Sequence, residues 1–231
     1  MEQPRCPICK DMLFLRYNVP PGHPKFGKIF RCEGDVHQPD YLRRLAELSG
    51  LTIDDMSSTL DKIKDVPGNK KMMEMAYNLK ANPNPSGWYW LWGGPGNAKS
   101  EMLIALVNEF NRSNRGPAVY TKMTTIIDYM RQAFRDGADQ TSYRQRFDRL
   151  RAIRVLAIDE MDKARDTPFV DEFRFDFLDE RYRSAINGQT LTLFASNLNP
   201  VELPETIADR ARDGRFQIIH NEAKSSRPEM K

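Results

Sequence analysis

The chain carries Gly93-Gly94-Pro95-Gly96-Asn97-Ala98-Lys99-Ser100 directly after a continuous apolar run, Trp88-Tyr89-Trp90-Leu91-Trp92. After it, apolar residues recur at Met102, Leu103, Leu106, Val107 and Phe110, the stripe of an amphipathic helix. A glycine-rich turn that leaves a strand and opens a helix is an anion cradle. Its backbone N–H groups converge on one point, and the helix dipole adds positive potential there. The pattern matches the phosphate-binding loop, with Lys99 placed to reach terminal phosphates and the Ser100 hydroxyl placed to ligate Mg²⁺. It departs from the consensus at Ala98, where glycine is usual and a Cβ narrows the allowed backbone.

A second motif agrees with the first. Val155-Leu156-Ala157-Ile158 is an apolar strand that ends in Asp159-Glu160. A carboxylate at the C-terminal end of such a strand falls where open α/β sheets bind their ligands. Asp159 is therefore expected in the Mg²⁺ shell, and Glu160 as the general base for an attacking water. The pair of motifs makes ATP the expected ligand of Gly93, Gly94, Pro95, Gly96, Asn97, Ala98, Lys99, Ser100 and Asp159. A third strand, Leu191-Thr192-Leu193-Phe194-Ala195, leads to Ser196-Asn197. Asn197 fits a side chain that orients water near the γ-phosphate, and equally an Asn that caps the turn Leu198-Asn199-Pro200.

Composition fits this frame. Hydrophobic residues make up 40% and charged residues 29%, which is globular rather than disordered. The net charge of +3 comes from 35 basic and 32 acidic residues, so a polycationic coat is excluded while a local basic groove is not. No apolar run approaches the ~20 residues a membrane helix needs. The start, Met1-Glu2-Gln3-Pro4-Arg5, has no signal-peptide core, so a cytoplasmic protein without a membrane partner is expected.

Three regions separate along the chain. Residues 1–40 hold all three cysteines, two of the three histidines and the Pro/Gly-rich stretch Val19-Pro20-Pro21-Gly22-His23-Pro24. Residues 41–86 read as a helical linker or partner-binding region, with Tyr41, Leu42, Leu45 and Leu48 on one face, closed by Asn82-Pro83-Asn84-Pro85-Ser86-Gly87. Residues 87–231 alternate strand and helix. Beyond the elements above come a strand at 118–120, a helix with Ile126, Ile127, Met130 and Phe134, and one with Val170, Phe173, Phe177 and Leu178. A short helix near 204–212 and a strand at 216–219 end the series. Alternation of this kind predicts a mostly parallel sheet covered on both faces. Trp88, Trp90 and Trp92 belong to the core in this reading rather than to a base-stacking surface.

Cys6-Pro7-Ile8-Cys9 is one half of a zinc site, because two thiolates one tight turn apart pre-form a tetrahedral edge. Cys32 would be the third ligand. His37 is expected as the fourth, with His23 its rival, and three reduced cysteines without metal are the alternative. Arg144, Arg146, Arg149, Arg151 and Arg154 share a stretch with only one acid, Asp148. They could track a phosphate backbone or simply form a solvated helix face.

The order of these motifs resembles the DnaC/DnaI helicase loaders and the related IstB transposition helpers, which are AAA+ ATPases. The resemblance rests also on Phe177-Leu178-Asp179-Glu180-Arg181-Tyr182, Ser196-Asn197-Leu198, Ile207-Ala208-Asp209-Arg210-Ala211-Arg212 and the Gly22-His23-Pro24-x-Phe26-Gly27-Lys28 stretch, which looks like a zinc module preceding some of these ATPases. Loops of the form Pro-Gly-x-Ala-Lys-Ser look like those of other AAA+ branches. The resemblance implies an α/β P-loop fold, an αβα sandwich without a full helical lid, behind a small zinc-binding module and linker helices. It implies a weak ATPase that self-associates through its ATP interface, with a replicative DnaB-type helicase and single-stranded DNA as partners. Arg210, with Arg212 as understudy, would be the arginine finger supplied to a neighbouring subunit, and Arg227 a sensor near the C-terminal end. Ordinary charges in the last turn of a helix are the competing reading of Arg210 and Arg212. Two other functions stay open: an IstB-like transposition helper, and a non-hydrolysing adaptor switched by ATP.

Overall fold

The computed structural model describes residues 14–16, 18–23, 26, 29–31, 48–52, 54–113, 115–135 and 140–226 of the chain. Two compact units emerge, Met1–Glu47 and Leu48–Lys231. In the first, strands β1 (Phe14–Arg16) and β2 (Ile29–Arg31) pair antiparallel, with Phe14 opposite Arg31 and Arg16 opposite Ile29. Between them a turn forms where His23 N–H donates to the Pro20 carbonyl and Phe26 N–H to that of His23. Cys6, Cys9, Cys32 and His37 lie outside the described residues.

The second unit is built on a five-stranded sheet. Its strands are β3 (Gly87–Trp92), β4 (Ala118–Lys122), β5 (Val155–Asp159), β6 (Leu191–Ser196) and β7 (Gln217–His220). Their order is β4-β5-β6-β3-β7, and every pairing is parallel. β5 and β6 are buried at every position, as continuous apolar runs in a doubly covered parallel sheet should be. The strand that leads into the glycine-rich loop is thus flanked by β6 and β7, and β5 lies one strand further on.

One face of the sheet presents Leu91, Tyr120, Val155, Ala157, Leu193 and Ala195 to helices α1 (Lys70–Ala81) and α2 (Lys99–Arg112). The other face turns Trp88, Trp90 and Phe194 the opposite way, as the period of two requires. There the Trp90 and Phe194 rings stack at 4.4 Å, and Trp88 meets the Phe194 and Tyr182 rings edge-on. Trp88 and Trp90 are core residues, each 2% exposed. Tyr182 belongs to α5 (Pro168–Ile186), whose N-cap Thr167 accepts from Val170 N–H and whose first residue is proline. Helices α3 (Met123–Arg135), α4 (Gln140–Arg151) and α6 (Glu205–Ala211) complete the unit. Among the described residues no helix is long and apolar enough to cross a membrane.

Between residues 48 and 69 the chain departs from the helical expectation. Two single 3₁₀ turns, Asp55–Ser57 and Leu60–Lys62, precede α1. Short polar side chains have captured the backbone there: Thr52 N–H donates to the Asp55 carboxylate at 2.8 Å, and the Ser57 hydroxyl to the Asp54 carbonyl at 2.9 Å. Such local bonds compete with a helical ladder. Leu60 and Ile63 nonetheless enter the same core cluster as α1 and α2.

Candidate nucleotide-binding site

At the C-terminal edge of the sheet, the loop after β3 shapes a cavity of about 490 Å³. Pro95 to Ser100, Asp159, Glu160, Asp162, Asn197 and Ser226 line it. That volume falls in the range of sites for a small ligand. Gly93, at φ +137°, has no room for a side chain, because a Cβ would stand 2.3 Å from the Asn221 carbonyl oxygen. Ala98 adopts the left-handed conformation, φ +65° and ψ +15°, immediately before α2 begins. The loop therefore has the backbone a glycine would give, at a cost of roughly 1–2 kcal/mol for the Cβ.

Lys99 is only 6% exposed, and its ammonium is held by loop oxygens. It donates to the carbonyls of Gly93 (2.7 Å) and Gly94 (2.8 Å), to Asn97 Oδ1 (2.9 Å) and to Asn197 Oδ1 (3.3 Å). Ser100, next along, is exposed on the cavity wall. Asp159 closes β5 and is 5% exposed. Its two oxygens accept from the Tyr120 hydroxyl (2.7 Å) and from Glu160 N–H (2.8 Å). Burial, then the Asp159 charge, pushes the Tyr120 phenol far above its usual range, so it stays a donor to that carboxylate.

Glu160 has φ +54°, outside the strand geometry, which swings its side chain toward the end of β4. There Lys122, the register partner of Asp159, donates to Glu160 Oε1 at 2.8 Å. That hydrogen bond raises the lysine pKa, so the ammonium stays charged at neutral pH. Asn197 follows the last residue of β6 and is fixed by Asp162, which accepts from its backbone N–H (3.2 Å) and its Nδ2 (3.4 Å). Three different strands thus deliver Lys99, Asp159, Glu160 and Asn197 to one cavity.

Arg210 does not line this cavity. It sits on α6 with its side chain 10% exposed, bonded to Asp179 at 2.8 Å and placed over the Phe175 ring at 5.0 Å. Arg212 pairs with Glu205 at 2.7 Å and is 51% exposed. Arg227 lies outside the described residues. Of the five clustered arginines, Arg146 donates to the Tyr129 carbonyl, Arg151 bridges Asp148 and Glu180, and Arg154 binds Asn84 and the Pro85 carbonyl. Arg144 and Arg149 are exposed on α4. Among the described residues, no group of three or more His, Cys, Asp or Glu side chains could hold a metal ion.

The sequence reading missed Tyr120, Lys122, Asp162, Asn221 and Ser226. Lys122 and Tyr120 sit on β4, and only the register of β4 beside β5 brings them to Glu160 and Asp159. Asn221 and Ser226 had no signal, because they approach the loop from more than 120 positions away.

No protein-family model and no curated protein sequence matches the chain. Solved structures do match its fold. AMPPCP-bound DnaA from Aquifex aeolicus aligns with a TM-score of 0.61 and 16% identity over 72% of this chain and 50% of that one. The chain thus spans half the length of that DnaA. DnaI aligns at 0.56 and 17% identity, covering 80% of this chain and 100% of its own, and the DnaC helicase loader at 0.55 and 14%, covering 73% and 99%. At these identities the likeness is one of fold. The chain shares with these structures an α/β fold built on a five-stranded parallel sheet, and the helicase loaders named from its motifs are among its structural neighbours.

Proposed function

We propose that the protein is an ATPase that acts as a helicase loader, assembling with ATP on a replicative DnaB-type helicase and single-stranded DNA. The observation that carries this is the convergence of Lys99, Asp159, Glu160 and Asn197 on one cavity at the strand ends, in a fold shared with the DnaC helicase loader. The loop Gly93–Ser100 and the N-terminus of α2 offer backbone donors to phosphates. Lys99 would exchange its carbonyl partners for phosphate oxygens. Ser100 and Asp159 are the residues to hold Mg²⁺, an ion that neutralises charge on the transferring phosphoryl group. Glu160 would orient and deprotonate water, and Asn197 would position it.

An arginine from a neighbouring subunit fits the same scheme. Arg210 would have to leave its Asp179 pair to serve, whereas the exposed Arg212–Glu205 pair is worth at most about 1 kcal/mol and opens easily. Arg144 and Arg149 are the residues left to meet a DNA backbone. The zinc site of Cys6, Cys9 and Cys32 with His37 or His23 rests on the cysteine spacing, its cysteines lying outside the described residues.

A second reading has one observation in its favour. The Glu160 carboxylate is tied to Lys122, so the protein could hold ATP as a switch without hydrolysing it. Mg²⁺-dependent turnover of wild type and Glu160→Gln, with and without single-stranded DNA, separates the two. The expected result is slow turnover that DNA stimulates and that the substitution abolishes. Equal rates for both proteins leave only the switch.

A further inference from the structure

After β7 the chain does not leave the domain. Residues 221–226 run back along the phosphate loop and are bonded to it at both ends. Asn221 continues the β7–β3 ladder, its N–H donating to the Trp92 carbonyl at 2.8 Å. Its side chain is 1% exposed and its Nδ2 donates to the Asn97 carbonyl at 2.6 Å. Asn97 returns the bond, its Nδ2 donating to the Asn221 carbonyl at 2.9 Å. The Asn221 Oδ1 then accepts from Ala223 N–H at 3.2 Å, which bends the segment around the pair. At the far end Ser226 donates to the Gly96 carbonyl through both its N–H (2.9 Å) and its hydroxyl (3.1 Å). On its other side the segment is fastened to the turn before α1, where Glu222 N–H donates to the Gly68 carbonyl and a Cβ on Gly68 would meet Ala223 N at 2.6 Å.

The consequence lies in what Asn97 has left. Its Nδ2 is committed to Asn221, so its Oδ1 points at Lys99 and holds the ammonium at 2.9 Å. The Asn221 side chain in turn holds the Asn97 carbonyl, so without it the Asn97 backbone could shift and carry its Oδ1, the lysine and the loop carbonyls to other arrangements. Both asparagines are almost fully buried, so a lost partner is not replaced by bulk water.

We infer that Asn221 is a positioning residue for nucleotide binding: with Asn97 it forms a reciprocal amide clamp that sets the shape of the phosphate loop, and ties that shape to the segment 221–226 and the Gly68 turn. The inference rests on the reading of the cavity as an ATP site. Coupling of this kind is reciprocal, so ATP that favours the clamped loop also tightens the segment.

The test uses the full chain and Mg²⁺-ATP. Asn221→Ala is expected to weaken the ATP dissociation constant by about 10-fold or more, the loss that follows from leaving a buried partner unpaired, with turnover at saturation changed far less. Asn108→Ala is the control. Asn108 is also buried, but its side chain bonds the Asp55 and Ser58 carbonyls, away from the loop and the Gly68 turn, so this change should lower the melting temperature and leave ATP affinity alone. A double-mutant cycle with Asn97→Ala should show that the second loss is much smaller in the background of the first. Should Asn221→Ala not fold, amide exchange of the wild type decides, and the Ala223 and Ser226 amides should exchange more slowly with ATP than without. If wild type binds no ATP, the ATP reading itself fails. If wild type binds and Asn221→Ala binds as tightly, or exchange at Ala223 and Ser226 ignores ATP, the clamp is overturned.

Discussion

Two buried cations donate to backbone carbonyls at opposite ends of the sheet, and only one of them faces a cavity. At the C-terminal end Lys99 holds the Gly93 and Gly94 carbonyls and two Asn side-chain oxygens. At the N-terminal end Arg181, on α5, is 0% exposed. Its guanidinium donates to the carbonyls of Ile153 and Leu191 (2.8 Å) and twice to the Thr192 hydroxyl, at 3.0 and 2.8 Å. The planar fork of arginine fills a fixed set of acceptors, so Arg181 is a rivet between α5, β6 and the entry to β5. The lysine ammonium is a compact charge on a rotatable stem, and its acceptors belong to a loop beside open space. Chemistry so similar at the two ends differs in whether the partners can be exchanged, and exchange is what a binding site requires.

The sharpest way to break this contrast is Arg181→Met, which keeps bulk and removes the donors. The Ile153 and Leu191 carbonyls and Thr192 would lose their partner in a sealed seam. Removing one side of a buried polar network costs on the order of 3–5 kcal/mol. Urea unfolding should show a loss of that size, and a change below about 1 kcal/mol would mean that water or a rearranged seam replaces the rivet. Burial and the nearby Arg154 already pull the Arg181 pKa below the usual arginine range. The seam therefore tolerates this charge only because its hydrogen bonds are complete.

Lys99→Met should behave in the opposite way. Lys99 lines the cavity and Gly94 is exposed, so only the buried Gly93 carbonyl and Asn97 Oδ1 are left short of a partner, and unfolding free energy should fall by no more than about 1–2 kcal/mol. Binding of Mg²⁺-ATP should fall by roughly 10²-fold, the weight of a lost charge-assisted contact to phosphate. Titration with a fluorescent ATP analogue checks the second figure, and urea unfolding the first. A large stability loss without a binding loss would make Lys99 a second rivet and remove the case for a phosphate site.

The contrast also marks what could be read from sequence. Glycine-rich turn, strand and helix lie within a few residues of each other, and Asp159 and Asn197 end strands whose apolar runs are unbroken. Local pattern therefore located the loop, the sheet class and most cavity residues. The seam was not legible, because Arg181 sits in a helix where an arginine normally faces solvent, and its acceptors belong to strands beginning ten or more residues away. Lys122 was hidden for a related reason. Only the pairing of β4 beside β5 brings it to Glu160, and nothing in the spacing of the two residues shows that register. For Arg210 the spacing left finger and ordinary helix charge open, the family resemblance favoured the finger, and the fold adds a pairing with Asp179 that no spacing shows.

Ala98 gives the smallest test and bears on the same end of the sheet. The residue holds φ +65°, where a Cβ costs roughly 1–2 kcal/mol, whereas glycine is free to adopt that conformation. Glycine also has more freedom to lose from the unfolded chain, which offsets about 0.4–1 kcal/mol of the relief. Ala98→Gly should therefore stabilise the domain by only about 0.5 kcal/mol, read as a small rise in the urea midpoint at unchanged slope. The Cβ has a second effect, because it removes other backbone conformations from the loop and holds the Lys99 carbonyls in one arrangement. If pre-shaping of the loop matters to binding, Ala98→Gly should gain that small stability and yet bind ATP no better than the wild type. A clear gain in ATP affinity would instead mean that the strained alanine holds the loop away from its phosphate-bound shape.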